Sequence, residues 1–307
     1  MSDFVSILNQ TREAFASVAR LEAASARAPA DAALQINLAA KMKFAERVQS
    51  EFLEGARTDQ IDVCRYRIIP GSDADYKVYG VSRSLMAFQE VVTSLFDAIQ
   101  NGPKKNAKFS TEIRSLTGMS IAYTYPGSLG VILTLPSERT LFEGKFDEVV
   151  GTFQAIFSIR DQQDIQNLAR DRGRSVVRSI YQWAESNDNA SFSVDVGWRR
   201  SDGIFQGGLV DKGEFQRMME IIDKAEEIER DEVEIYGVLV GADLALSTFH
   251  MIEPDGIDYK GRFYSDFVVP ENFILDRRYH ATIVRDTVRK YATDEEKITY
   301  RLKAIGP

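Results

Sequence analysis

Two imidazoles, one thiol and one glycine-rich turn are the groups of this 307-residue chain best suited to acid–base, nucleophilic or phosphate chemistry. His250 and His280 both fall in strand-like runs, and no Ser or Cys elbow adjoins either in sequence. A nucleophile, a base and an orienting group therefore cannot be assembled around them. Cys64 lies in the apolar–basic run Ile61 to Ile69 and reads as a buried, inert thiol. Two His and one Cys give no zinc site of the usual spacing, and no disulfide within the chain, so no cofactor is expected. The segment Pro126-Gly127-Ser128-Leu129-Gly130 has the glycines of a phosphate loop. It stands between two strands, leads into no helix and lacks the lysine that reaches phosphate. It reads as a tight hairpin turn.

Carboxylates are abundant but dispersed. Asp195 with Asp202, or Glu232 with Glu234, is the kind of pairing a metal-dependent hydrolase or nuclease would use. Glu232 and Glu234 share one strand face, which also suits a polar outer surface. With no convergent catalytic set, the chain reads as non-catalytic.

Basic residues gather locally: Lys104, Lys105 and Lys108; Arg170, Arg172, Arg174 and Arg178; Arg199 and Arg200. A further group, Arg277, Arg278, Arg285, Arg289 and Lys290, accompanies strands near the C-terminus. Phe249, Tyr259 and Tyr264 lie in the same region, with Phe263 beside them. Aromatic rings interleaved with arginines on a small barrel are the ingredients of a surface for single-stranded nucleic acid or for a protein partner. These eight residues, from Phe249 to Lys290, are the candidate binding set.

The elements that must position these groups follow from periodicity. Phe4, Leu8, Thr11, Phe15 and Val18 recur at helix-seam spacing. Pro29 breaks that helix and Asp31 caps the next, which carries Leu34, Leu38, Ala45, Val48 and Phe52 on one face and is expected to stop at Gly55. This αα-hairpin is expected to pack on its own domain or to serve as a dimerisation arm. Ile61, Val63, Arg65, Arg67 and Ile69 share one face of a strand. Tyr76 to Tyr79 reads as a short strand, and a helix with a wide apolar stripe begins at Ser82. Met119–Tyr125 and Leu129–Leu135 form a hairpin whose second strand is apolar on both faces, and so central. Residues 144–187 are helical, 191–199 and 203–209 form another hairpin, and a helix runs from Phe215 to Ile228. The charge run Glu226 to Asp231 reads as its solvated end and a domain boundary.

Five strands are expected after it: Glu232–Gly241, Leu246–Glu253, Tyr259–Phe263, Tyr279–Thr287 and Lys297–Ala304, with an insert over 264–278. That count suits an OB-like or SH3-like barrel. The expected fold class is α+β: a helical hairpin (1–55), a central α+β domain with antiparallel hairpins (56–230) and a small five-stranded barrel (231–307).

The net charge of −8 disfavours a generic phosphate or anionic-membrane surface. Hydrophobic residues make up 44% and charged residues 27%, enough apolar material for a sizeable core. No basic-then-apolar leader and no long uncharged apolar stretch is present, so a cytoplasmic chain without a membrane partner is expected.

The run Gly237 to Asp243, with Phe249-His250-Met251, Asp255-Gly256, Gly261-Arg262-Phe263 and Ala292 to Lys297, resembles the barrel tail of a set of uncharacterised bacterial cytosolic proteins. The turn Tyr125 to Gly130 resembles that set as well. The resemblance implies a bacterial, cytosolic setting and brings no catalytic residues. Proteins of this shape serve in accessory or defence operons, by analogy only. The function expected from sequence is a non-catalytic interaction or regulatory protein. It would self-associate as a dimer through residues 1–55 and dock a protein partner through the barrel. Nucleic-acid binding through the barrel arginines is the second reading, and a metal-dependent hydrolase or nuclease the third.

Overall fold

A computed structural model describes residues 2–72, 74–126, 128–135, 145–199, 205–271, 273–293 and 295–306. The chain is α+β and divides into two compact units, Met1–Ile222 and Asp223–Pro307. The N-terminal hairpin thus belongs to the same unit as the central sheet.

The larger unit begins with α1 (Ser2–Arg27) and α2 (Ala32–Thr58). The Asp31 carboxylate accepts the N–H groups of Ala33 and Leu34, as expected of a cap. The helix does not stop at Gly55 but continues to Thr58. A five-stranded antiparallel sheet follows, in the order β2-β3-β1-β4-β5. Its strands are β1 (Asp62–Pro70), β2 (Ser120–Tyr125), β3 (Leu129–Leu135), β4 (Phe192–Arg199) and β5 (Phe205–Val210). The doubly apolar β3 is internal, as its sequence predicts. The helices are α3 (Val78–Asn101), α4 (Thr111–Thr117), α5 (Lys145–Ile156), α6 (Gln162–Arg172), α7 (Arg174–Ala190) and α8 (Lys212–Lys224). The strand expected over Tyr76–Tyr79 is absent. Those residues lead into α3, which starts four positions before Ser82.

Strand β1 divides the unit's two cores. Cys64, Tyr66 and Ile68 are fully buried on one face, where Tyr66 packs on Phe88 of α3 with ring centroids 4.6 Å apart. Phe88, Phe153, Trp183 and Phe215 extend that core through consecutive aromatic contacts. Beside the sheet's β2 side, the α1–α2 hairpin builds a second cluster. Phe4, Ile7, Leu8, Phe15 and Phe52 pack with Val63, Ala122, Tyr123 and Ile132. Phe15 stacks on Tyr123 at 5.1 Å. Arg12 donates to the carbonyls of Ile121 and Ala122, occupying part of the open edge of β2.

Inside the first core, four fully buried polar side chains close a circuit. The Trp183 indole N–H donates to Tyr66 Oη at 2.9 Å, and Tyr66 Oη lies 2.8 Å from Ser84 Oγ. Ser84 donates to Asn187 Oδ1 at 2.7 Å, and Asn187 Nδ2 donates to the Trp183 carbonyl at 2.8 Å. Because Ser84 spends its proton on Asn187, Tyr66 is the donor to Ser84. Burial pushes the Tyr66 hydroxyl up to about 12, against the opposing hydrogen bonds to Ser84 and Trp183, so it stays a neutral donor. The circuit ties β1, α3 and α7 together.

Two substitutions test this packing. Tyr66→Phe strands the Trp183 N–H and takes the donor from Ser84. We expect a loss of about 1–3 kcal/mol in denaturant unfolding. Gly173, between α6 and α7, has φ +91°, and a Cβ there would lie 2.3 Å from the Lys104 backbone nitrogen. Gly173→Ala should therefore cost more than about 2 kcal/mol in the same measurement.

Candidate docking surface

The smaller unit is a closed barrel of β6 (Glu226–Asp243), β7 (Thr248–Ile252), β8 (Asp258–Phe263), β9 (Arg277–Lys290) and β10 (Glu296–Gly306). Neighbours run β6-β7-β8-β10-β9 and back to β6, with β8 and β10 parallel and all other pairs antiparallel. This mixed order, with the fifth strand between the third and fourth, is that of an OB-type barrel rather than an SH3-like one. All five expected strands are present. The helix expected to reach Ile228 ends at Lys224, and the charged run opens β6 instead. Glu229 and Asp231 find cationic partners across the ladder, which helps an apparently solvated sequence form a strand.

Those partnerships absorb much of the candidate binding set. Arg285 binds Asp231 at 2.8 Å. Arg289 spans Glu229 at 2.6 Å and Glu296 at 3.0 Å, and Lys290 lies 3.9 Å from Glu295. Arg230 and Arg301 converge on Asp286, and Lys303 binds Glu232. Burial would raise the Asp286 carboxyl, but the hydrogen bonds from Arg230 and Arg301 outweigh it and hold the pKa below the usual value. Arg277 and Arg278, at the opposite end of β9, are exposed and, among the described residues, in no ion pair.

Strand alternation decides the rings. Phe249 and Tyr259 are 3% and 8% exposed and share the barrel interior with Met251, Ile283 and Leu302. They are core, not stacking platforms on the surface. Tyr264 lies outside the strands with the Arg301 guanidinium over its ring. The outer positions of β7 and β8 hold His250, Asp258, Lys260 and Arg262 instead. Asp258 bonds both Lys260 and His250; the Lys260 bond is the largest influence on its pKa and, with His250, holds it below the usual value against the opposing effect of burial. His280 packs against Tyr236 at 4.6 Å. Of the carboxylate pairs, Glu232 is held by Lys303 and Asp195 by Arg65 at 3.0 Å, and Asp202 lies outside the described residues. Among the described residues no three His, Cys, Asp or Glu side chains gather as a metal site.

The barrel end opposite this charged ribbon, where Arg277 and Arg278 also lie, exposes a group of aliphatic side chains. The β6–β7 loop and the insert between β8 and β9 leave the barrel together, because Phe263 N–H donates to Ser247 O at 3.0 Å. Asp243 Oδ1 accepts the N–H groups of Ala245 and Leu246, an Asx turn that presents Leu244 and Leu246, 55% and 69% exposed. The strand expected from Leu246 starts only at Thr248, so Leu246 is a loop residue. In the insert, Phe267 stacks on Phe263 at 4.6 Å and Phe273 joins the barrel core. Tyr279 Oη accepts the Ile274 N–H at 2.9 Å. These anchors leave Val268, Val269, Ile274 and Leu275 outside. Loop leucines beside an Asp are the only sequence signal for this surface, and periodicity passes over them.

No family model, curated protein or solved structure matches the chain, so its interpretation rests on geometry.

Acid sensitivity tests the ion pairs. A depressed carboxyl pKa stabilises above the unfolded Asp value near 3.9, and that contribution is lost as pH falls toward the folded value. Asp286→Asn should cost about 1–3 kcal/mol at neutral pH, with Arg230 largely in water and screened. The difference from wild type should shrink in denaturant unfolding at acidic pH.

Proposed function

We propose that the chain is a non-catalytic interaction protein that docks a protein partner through the apolar end of its barrel. The observation that carries this reading is the division of the barrel surface. Its cationic ribbon is neutralised by carboxylates from neighbouring strands, while aliphatic side chains stand exposed at the other end on loops held rigid by Asp243, Phe267 and Phe273. OB-type barrels use the loop after their first strand, among others, to bind oligonucleotides and oligosaccharides, whereas here that loop offers leucines. Exposed aliphatic clusters on an ordered scaffold suit protein contact better than phosphate contact.

Nucleic-acid binding keeps one specific support, the unpaired Arg277 and Arg278 on β9. Self-association through residues 1–55 would use the outer helix faces, where Ile36 and Met42 are exposed, because the inner seam is packed within the chain.

A photo-crosslinking residue at position 246, in the full chain expressed in its own cells, should yield a discrete protein adduct. The adduct should disappear with Leu244→Asp and persist with Arg277→Ala plus Arg278→Ala. Adducts to nucleic acid, lost with the arginine pair, would favour the second reading.

A further inference from the structure

A cavity of about 690 Å³ lies between the loop that follows β1 and the C-terminal end of α7. The Gly71 N–H donates to the Ser191 carbonyl at 2.8 Å and closes its floor. Three cations from separate places in the chain line it: Lys77 before α3, Arg83 in the second turn of α3 and Lys212 at the start of α8. Lys212 reaches Ser191 Oγ at 3.1 Å, and among the described residues none of the three is in an ion pair. Asp75 and Glu185 also line the cavity, and among the described residues neither is within ion-pair distance of a lysine or arginine. The described lining residues thus carry three cations and two carboxylates.

The same cavity receives the first turn of α3 through Tyr79 and Gly80. No side chain caps that turn and no acidic residue lies in it, so its backbone N–H groups add positive potential to that of the side chains. A single carboxylate would not use three cations and a helix terminus together. A phosphate group, with more acceptor oxygens and higher charge, would. The volume exceeds what phosphate alone fills and suits a small organic phosphate.

We propose that this cavity binds a phosphorylated small molecule. The phosphate sits among Lys77, Arg83, Lys212 and the first turn of α3, and the organic part points toward Phe192 and Glu185. This site is independent of the barrel's docking role.

Calorimetric titration of the full chain with inorganic phosphate, pyrophosphate, AMP, adenosine and citrate tests it. Pyrophosphate and AMP should bind, adenosine should not, and citrate should bind more weakly than pyrophosphate. Arg83→Ala and Lys212→Ala, both exposed positions that leave the core intact, should each weaken AMP about tenfold, the loss of one charge-assisted contact. Glu185→Gln should tighten it by removing a like charge. Lys290→Ala, in the barrel, should leave it unchanged. Absence of binding by both pyrophosphate and AMP at millimolar concentration would overturn the proposal. So would affinity indifferent to Arg83 and Lys212, citrate binding as tightly as pyrophosphate, or weakening by Glu185→Gln.

Discussion

The buried circuit of Tyr66, Ser84, Asn187 and Trp183 is the interaction on which the larger unit depends. Each hydroxyl in it accepts one hydrogen bond and donates one, so neither hydroxyl proton is stranded in a dry interior. Apolar packing alone would hold α3 and α7 against the sheet in several registers. The circuit selects one, because sliding either helix leaves a buried donor without an acceptor. The aromatic core from Phe88 to Phe215 then fills around that fixed frame. The position of the first turn of α3, and with it the cationic cavity, follows from the same constraint.

The barrel obeys the same rule with charges in place of hydroxyls. Strands β6, β9 and β10 extend as a ribbon whose side chains would repel water-exposed pairing if left alone. Complementary charges across the ladder make that extension stable. Function is then legible as the remainder. Groups that the fold consumes, such as Arg285, Arg289, Phe249 and Tyr259, are poor binding candidates however suggestive their types. Groups that the fold leaves exposed are better ones: Leu244 and Leu246 on one unit, and Lys77, Arg83 and Lys212 on the other.

Much of the fold was legible in the sequence. Two-residue alternation located the barrel strands and the central hairpins. The seam from Phe4 to Val18 and the Asp31 cap marked the helical hairpin. Failures arose where local signals and tertiary partners disagree. The run Glu226 to Asp231 looks like a solvated helix end because its strand character comes from arginines more than fifty residues away. The first turn of α3 carries tyrosine and valine, which suit a strand, and helix packing overrides them. The candidate site was the least legible part. Residue type identifies an arginine or a tyrosine as able to bind, but only pairing and burial show whether it is free to do so. The loop leucines at 244 and 246 escape because exposure is not a property of spacing.

The division of the barrel surface is best examined by carbene footprinting of the full chain, comparing purified protein with protein labelled inside its own cells. Docking through the apolar end requires that Leu244, Leu246, Val268 and Val269 lose labelling in cells while the β6–β9–β10 ribbon is unchanged. Equal labelling of those four residues in both settings, or protection confined to Arg277, Arg278 and the ribbon, would refute it.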